Sequence, residues 1–224
     1  MKKLVLYFTA FVTVLLLAGN TYSQNYLSLH GGAAFPLGAF ASDDIDSEDA
    51  GGADMGFCVG GDYTFNVYKG LGVFLGAELN YNGLKKSVRD EYEDSYWSYF
   101  MNPDITFYRY INIPLMIGVD YTLKANDLIS FYGDLGVGLD LLKITNMTIE
   151  ETGMKMTTEF DMANQFAYKA GAGILLKDRW SLGVYYNGLG KHKIRGESKL
   201  GGYSQDFDYK QQVSLLTVSL GIRL

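Results

Sequence analysis

The 224-residue chain carries 19 basic and 25 acidic residues, a net charge of −6 at neutral pH, and an acidic chain offers no electrostatic footprint for nucleic acid. Its one cysteine, Cys58, excludes an intrachain disulfide. With 27 Gly, 18 Tyr and 13 Phe but only 3 Pro, the composition suits strands and turns.

Residues 1–23 open with Lys2 and Lys3, run apolar from Leu4 to Ala18 and end at Thr21-Tyr22-Ser23. That is the layout of a cleaved secretory signal peptide, with an apolar run too short to span a membrane comfortably as a helix. Its removal leaves 17 basic against 25 acidic residues, a net charge near −8. Residues 24–224 then suit one domain, and no later apolar run is long enough for a spanning helix.

Eight stretches alternate with a period of two, which is the mark of strands because successive side chains point to opposite faces. They cover about 25–35, 55–67, 71–82, 105–122, 128–142, 164–176, 180–188 and 213–224. In the first, Leu27, Leu29, Ala33 and Phe35 oppose Ser28, His30 and Gly32. In the third, Val73, Leu75, Ala77 and Leu79 oppose Gly72, Gly76 and Glu78. The last sets Leu216, Val218, Leu220, Ile222 and Leu224 against Val213, Leu215, Thr217, Ser219, Gly221 and Arg223. Connections after the second, fourth and sixth are short, whereas those after the first, third, fifth and seventh run to roughly twenty residues. Short turns on one side and long loops on the other describe an up-and-down barrel, whose closure removes the sheet edges.

The polar face is crowded with Gly56, Gly60, Gly72, Gly76, Gly118, Gly136, Gly138, Gly171, Gly173 and Gly183, which suits the inside of a narrow barrel. The apolar face therefore meets lipid. Aromatic residues sort into two belts, Phe35, Phe57, Tyr81, Phe107, Phe166 and Tyr186 towards the long loops and Phe65, Tyr121, Phe131 and Trp180 towards the turns. The expected fold is all-β, an eight-stranded antiparallel transmembrane β-barrel preceded by a signal peptide.

The segment Tyr110-Ile111-Asn112-Ile113-Pro114-Leu115 puts a proline inside a strand, where it cannot donate to the ladder. In this segment the chain resembles the outer-membrane β-barrel family that includes the PorT-like proteins, with Asn112 standing where relatives often carry an acid. The resemblance implies the outer membrane of a Gram-negative envelope with periplasmic termini. It also suggests an accessory part in protein secretion.

The inward face collects His30, Asp62, Glu78, Asp120, Asp134, Asp140, Lys169 and Arg223. Buried charges need partners or water, so these residues read as a polar network filling the lumen; a proton or cation path is the sharper alternative. Cys58 reads as a small inward side chain. His30 inside and His192 in the last long loop are the histidines a rim-located lipid- or peptide-modifying enzyme would need. Without a Ser-centred motif, His192 reads as solvated and no catalytic residue is assigned.

Loop one is acidic, and Asp44, Asp46 and Glu48 are its calcium candidates; a solvated loop is the preferred reading. Loop two is aromatic, with Tyr92, Tyr96, Trp97 and Tyr99 as a possible contact surface. Loop four holds Lys191, Lys193, Arg195, Lys199 and Lys210, a set that could meet lipopolysaccharide. The expected function is non-enzymatic and cofactor-free: surface interaction or envelope assembly through long loops, with outer-membrane lipid and an envelope protein as partners.

Overall fold

The computed structural model describes residues 25–44, 49–97, 103–151 and 154–224. The region 1–23 expected as a signal peptide lies outside them. The chain forms β1 (Tyr26–Pro36), β2 (Gly56–Tyr68), β3 (Leu71–Asn82), helix α1 (Lys86–Trp97), β4 (Asp104–Thr106), β5 (Tyr110–Lys124) and β6 (Ile129–Ile144). It continues through β7 (Met147–Glu151), β8 (Met154–Phe160), β9 (Ala163–Leu176), β10 (Trp180–Leu200) and β11 (Tyr203–Arg223). Eight of these strands close a ring in the order β1-β2-β3-β5-β6-β9-β10-β11, with β11 returning to β1. Every ring pairing is antiparallel, and Gly31 opposite Leu220 belongs to the closing seam.

The outward side chains of the ring are apolar and exposed, among them Leu29, Val59, Leu115, Val119, Leu135, Val137, Leu139 and Val184. A closed antiparallel ring with a wet exterior would place polar residues there, so this wall faces lipid. Two short turns sit in backbone that only a few residues tolerate. Lys69 (φ 37°) with Gly70 (φ 87°), and Lys177 with Asp178 (φ 52° each), are tight hairpin turns of the mirror-image type that matches strand twist. The Asp178 carboxylate accepts the Ser130 hydroxyl at 2.8 Å, fixing the second turn.

Proline in β5 leaves a visible mark. The β3–β5 register runs through Ala77–Leu115 and resumes at Asn80–Asn112, so pairing lapses where Pro114 would have met Glu78. The missing N–H is accommodated by that gap.

Strands β10 and β11 do not end where lipid ends. Their pairing continues from Trp180–Ile222 to Leu200–Tyr203. A membrane crossing takes ~9–11 residues, so about half of each 21-residue strand projects beyond the bilayer. There β8 adds to β10, β7 to β8 and β4 to β7, extending the sheet sideways. The third and fourth long loops are thus largely strands, and the second holds a helix.

Candidate functional site

Two regions carry the unusual chemistry: the ring's interior and the sheet above it. At the periplasmic end lies a small cavity of about 40 Å³, lined by Tyr26, His30, Asp62, Asp120, Asp134, Tyr185 and Arg223 among others. Tyr26 and Arg223 also border the wider mouth beneath it. The Arg223 guanidinium stacks 3.7 Å from the Tyr26 ring centre, and the Tyr26 hydroxyl donates to Asp120 Oδ2 at 2.8 Å. These side chains form the floor of the interior.

Above them His30 sits between two acids, Nε2 3.0 Å from Glu78 Oε2 and Nδ1 3.5 Å from Asp62 Oδ2. Lys169 is buried with its ammonium 4.3 Å from the Tyr185 ring centre, and Tyr185 and Tyr132 hydroxyls meet at 2.7 Å. Asp134 stands directly opposite Asp120 across the β5–β6 ladder. All eight inward residues singled out from the sequence therefore face the interior, but not as one cluster: Asp140 stands apart. Cys58 is also buried.

Asp140 pairs instead with His192, Oδ2 to Nε2 3.1 Å, and neither side chain has any exposed surface. The expectation of a solvated His192 is overturned. The cause is a bulge at Gly188–Gly190 in β10, where the register to β11 shifts by one and Gly190 adopts φ 87°. Before it Tyr185, Asn187 and Leu189 point inward; after it His192 and Ile194 do.

Beyond this pair the interior turns apolar. Phe40, Leu84, Val88, Tyr110, Leu142, Ile144, Ile149, Phe160, Ile194 and Val213 share one buried core. Phe40 comes from a 3-10 turn at Gly38–Ala41 in the first loop and meets the Tyr110 ring edge-on at 4.9 Å. The Tyr110 hydroxyl donates to the Gly51 carbonyl at 2.7 Å. A Cβ on Gly51 would lie 2.7 Å from the Phe40 carbonyl oxygen, so the close return of this loop requires glycine. Helix α1 supplies Val88 and, partly buried, Tyr92. Phe107 packs there too, 6.4 Å from Tyr92, and so does not belong to the lipid-facing belt in which its alternation had placed it.

The outer face of the projecting sheet is charged. Lys193 meets Asp208 at 2.8 Å, Lys199 meets Glu159 at 2.9 Å and Glu197 at 3.1 Å, and Lys191 meets Asp49 at 2.8 Å. Lys193 holds the Asp208 carboxyl below the usual carboxylate range, and Ser204 followed by Lys199 does the same for Glu197. Three of the five expected lipopolysaccharide-binding cations are thus committed to carboxylates. A cleft on this face is lined by Glu159, Asp161, Glu197, Asp206 and Asp208 with Arg195, so its balance is acidic.

Of the calcium candidates, Asp44 is exposed, while Asp46 and Glu48 lie outside the described residues. No group of three metal-ligating side chains occurs among the described residues. Of the aromatic set in the second loop, the Tyr96 and Trp97 side chains and all of Tyr99 lie outside the described residues. Sequence reasoning missed the Asp140–His192 pair, although Lys191-His192-Lys193-Ile194-Arg195 keeps a period of two that would have continued the strand.

The profile of a family described as "Outer membrane protein beta-barrel domain" matches residues 5–221. No curated protein matches the chain. Among solved structures, the outer membrane protein OprG of Pseudomonas aeruginosa is similar at 14% identity, covering 92% of this chain and 98% of that one with a TM-score of 0.51. Neisserial surface protein A is 14% identical over 90% of this chain and 97% of its own, TM-score 0.46. The attachment invasion locus protein Ail of Yersinia pestis is 16% identical over 89% and 97%, TM-score 0.43.

Proposed function

Because this chain belongs to the outer membrane protein beta-barrel domain family and so resides in a bacterial outer membrane, we propose that it acts at the cell surface as a non-enzymatic binding protein. The observation that carries this reading is the apolar core closing the outer end of the ring beneath a sheet whose outer face is exposed and charged. A solute path would need that end open. A binding surface needs a rigid platform, which β10, β11, β8 and β7 supply by strand pairing.

The cleft around Glu159, Glu197, Asp206 and Asp208 stays acidic after its lysine pairings, since Asp161 and Asp206 carry no salt bridge among the described residues, and it fits a basic protein surface better than anionic lipopolysaccharide. Tyr203 at the hairpin tip, 86% exposed beside Leu200, supplies an aromatic anchor of the kind that dominates interface energetics, and Tyr92 on α1 flanks the same end. An enzyme at the rim would need substrate to reach a histidine paired with an acid. The Asp140–His192 pair is sealed from both sides, and the His30 cluster faces the periplasmic cavity rather than the outer rim.

The PorT-like resemblance rests on Tyr110 to Leu115 of β5, and an accessory role in secretion is the second reading. One experiment separates the two: a photo-crosslinking residue at Tyr203 in intact cells, with a control in which residues 197–206 are shortened to a tight turn. A single protein adduct, lost in the control while the barrel stays folded, supports a surface partner. A secretion component as that adduct supports the second reading, and lipid-only adducts refute both.

A further inference from the structure

The ring's lipid-facing wall is not uniform. On β1, Gly31 points outward between Val59 of β2 and Leu220 of β11, its cross-strand partners. A Cβ at Gly31 would meet only the Cys58 carbonyl oxygen, at 3.4 Å, so the space outside it is open. Leu29 does not fill that space. Its Cδ2 leans over its cross-strand partner, the outward Gly61, 3.0 Å from where a Gly61 Cβ would be. The result is an open apolar trough of about 590 Å³ walled by Leu29, Val59, Trp180, Leu182 and Leu220.

The trough ends at the Lys177–Arg179 turn, because Trp180 is the first residue of β10. Lys177 and Arg179 are exposed and take part in no salt bridge among the described residues. The acid between them, Asp178, is turned towards the interior mouth by the Ser130 hydroxyl. The turn thus exposes two cations beside one anion whose carboxylate is engaged by Ser130, at the height where lipid headgroups lie.

We propose that this trough and turn form a site for one anionic phospholipid of the periplasmic leaflet, an acyl chain lying over Gly31 and the phosphate held by Lys177 and Arg179. An apolar slot is matched to a chain, and each cation near a membrane surface attracts anionic headgroups. The short turns lie on the periplasmic side, which selects phospholipid over lipopolysaccharide. The inference is independent of the surface-binding reading, since it involves the opposite end of the barrel.

The test uses the mature chain folded in nanodiscs of phosphatidylethanolamine and phosphatidylglycerol, released into detergent and weighed by native mass spectrometry. One phosphatidylglycerol should be retained per barrel. Gly31→Phe, which fills the trough from outside and leaves the interior untouched, should abolish retention with heat-modifiable migration unchanged. Lys177→Gln with Arg179→Gln, which leaves the Asp178–Ser130 bond of the turn in place, should lower the phosphatidylglycerol preference roughly thirtyfold. Equal retention of both lipids, or retention undiminished by either variant, would each overturn the site.

Discussion

Replacing His192 with leucine isolates the chemistry of the interior in one change. His192 Nε2 lies 3.1 Å from Asp140 Oδ2, and both side chains are fully buried. Water therefore cannot replace the imidazole, and the carboxylate is left as an uncompensated buried charge. Removing one member of a buried pair costs about 3–5 kcal/mol, and because the Asp140 oxygens and His192 nitrogens are close without hydrogen-bonding geometry, this case belongs at the lower end of that range. The double variant Asp140→Val, His192→Leu removes charge from both sides and should return to within about 1 kcal/mol of the parent, since apolar replacement of a buried pair is often neutral. Urea unfolding in detergent micelles, followed by tryptophan fluorescence and heat-modifiable migration, reads both values. A single variant costing less than about 1 kcal/mol, or a double variant as unstable as the single, would refute the pairing and with it the inward turn produced by the Gly188–Gly190 bulge.

Truncating Phe40 to alanine should cost about 3–5 kcal/mol in the same unfolding assay, because its ring is fully buried between the first loop and Tyr110. Lys69→Asn should stabilise the barrel by about 1 kcal/mol, since asparagine tolerates the left-handed backbone that Lys69 adopts at φ 37°. The native Cys58 should resist a membrane-impermeant thiosulfonate added from either side, being buried in the ring; mass measurement of the intact chain checks this. The Ser87 hydroxyl holds the Asp43 carboxyl below its ordinary value. The folded group thus binds its proton less readily than the unfolded one, and this tether is intact at neutral pH and lost as pH falls through the lowered value. The Ser87 amide shift, titrated in nanodiscs, should report that loss, and Asp43→Asn should remove the titration.

The transmembrane half of this protein was legible because lipid imposes a simple rule: apolar outside, small or polar inside, period two. Leu216 to Leu224 obey it along their whole length, and Val73 to Leu79 break it only at Phe74, which points inward and is buried. The half beyond the membrane keeps the period but inverts the chemistry. On β10 the outward residues become Lys191, Lys193 and Arg195 while the inward ones become His192 and Ile194. A criterion that looks for apolar exteriors stops at Gly188, where the bulge also shifts the phase.

The same inversion hid β7 and β8, whose buried residues Met147, Ile149 and Phe160 alternate with polar ones. Helix α1 was obscured differently: among its described side chains the core contact is Val88 with the partly buried Tyr92, one turn apart, in a stretch rich in charge. The interior charges could be assigned to a face from spacing alone. Their partners could not, because they depend on register: the β1–β2–β3 pairings bring Asp62 and Glu78 to His30, and the β10 bulge turns His192 inward to meet Asp140 of β6 across the intervening β9.

The account's central claim is that the ring is closed at its outer end by the core around Phe40, Tyr110 and Leu142, leaving the surface sheet as the working part. Single-channel recording in planar bilayers tests it most directly. The claim predicts no steady conductance from the folded barrel, and none from Asp120→Asn or Asp134→Asn, because the barrier is apolar and lies above those acids. A steady open level that falls when either aspartate is neutralised would contradict it and would make the interior carboxylates an ion path.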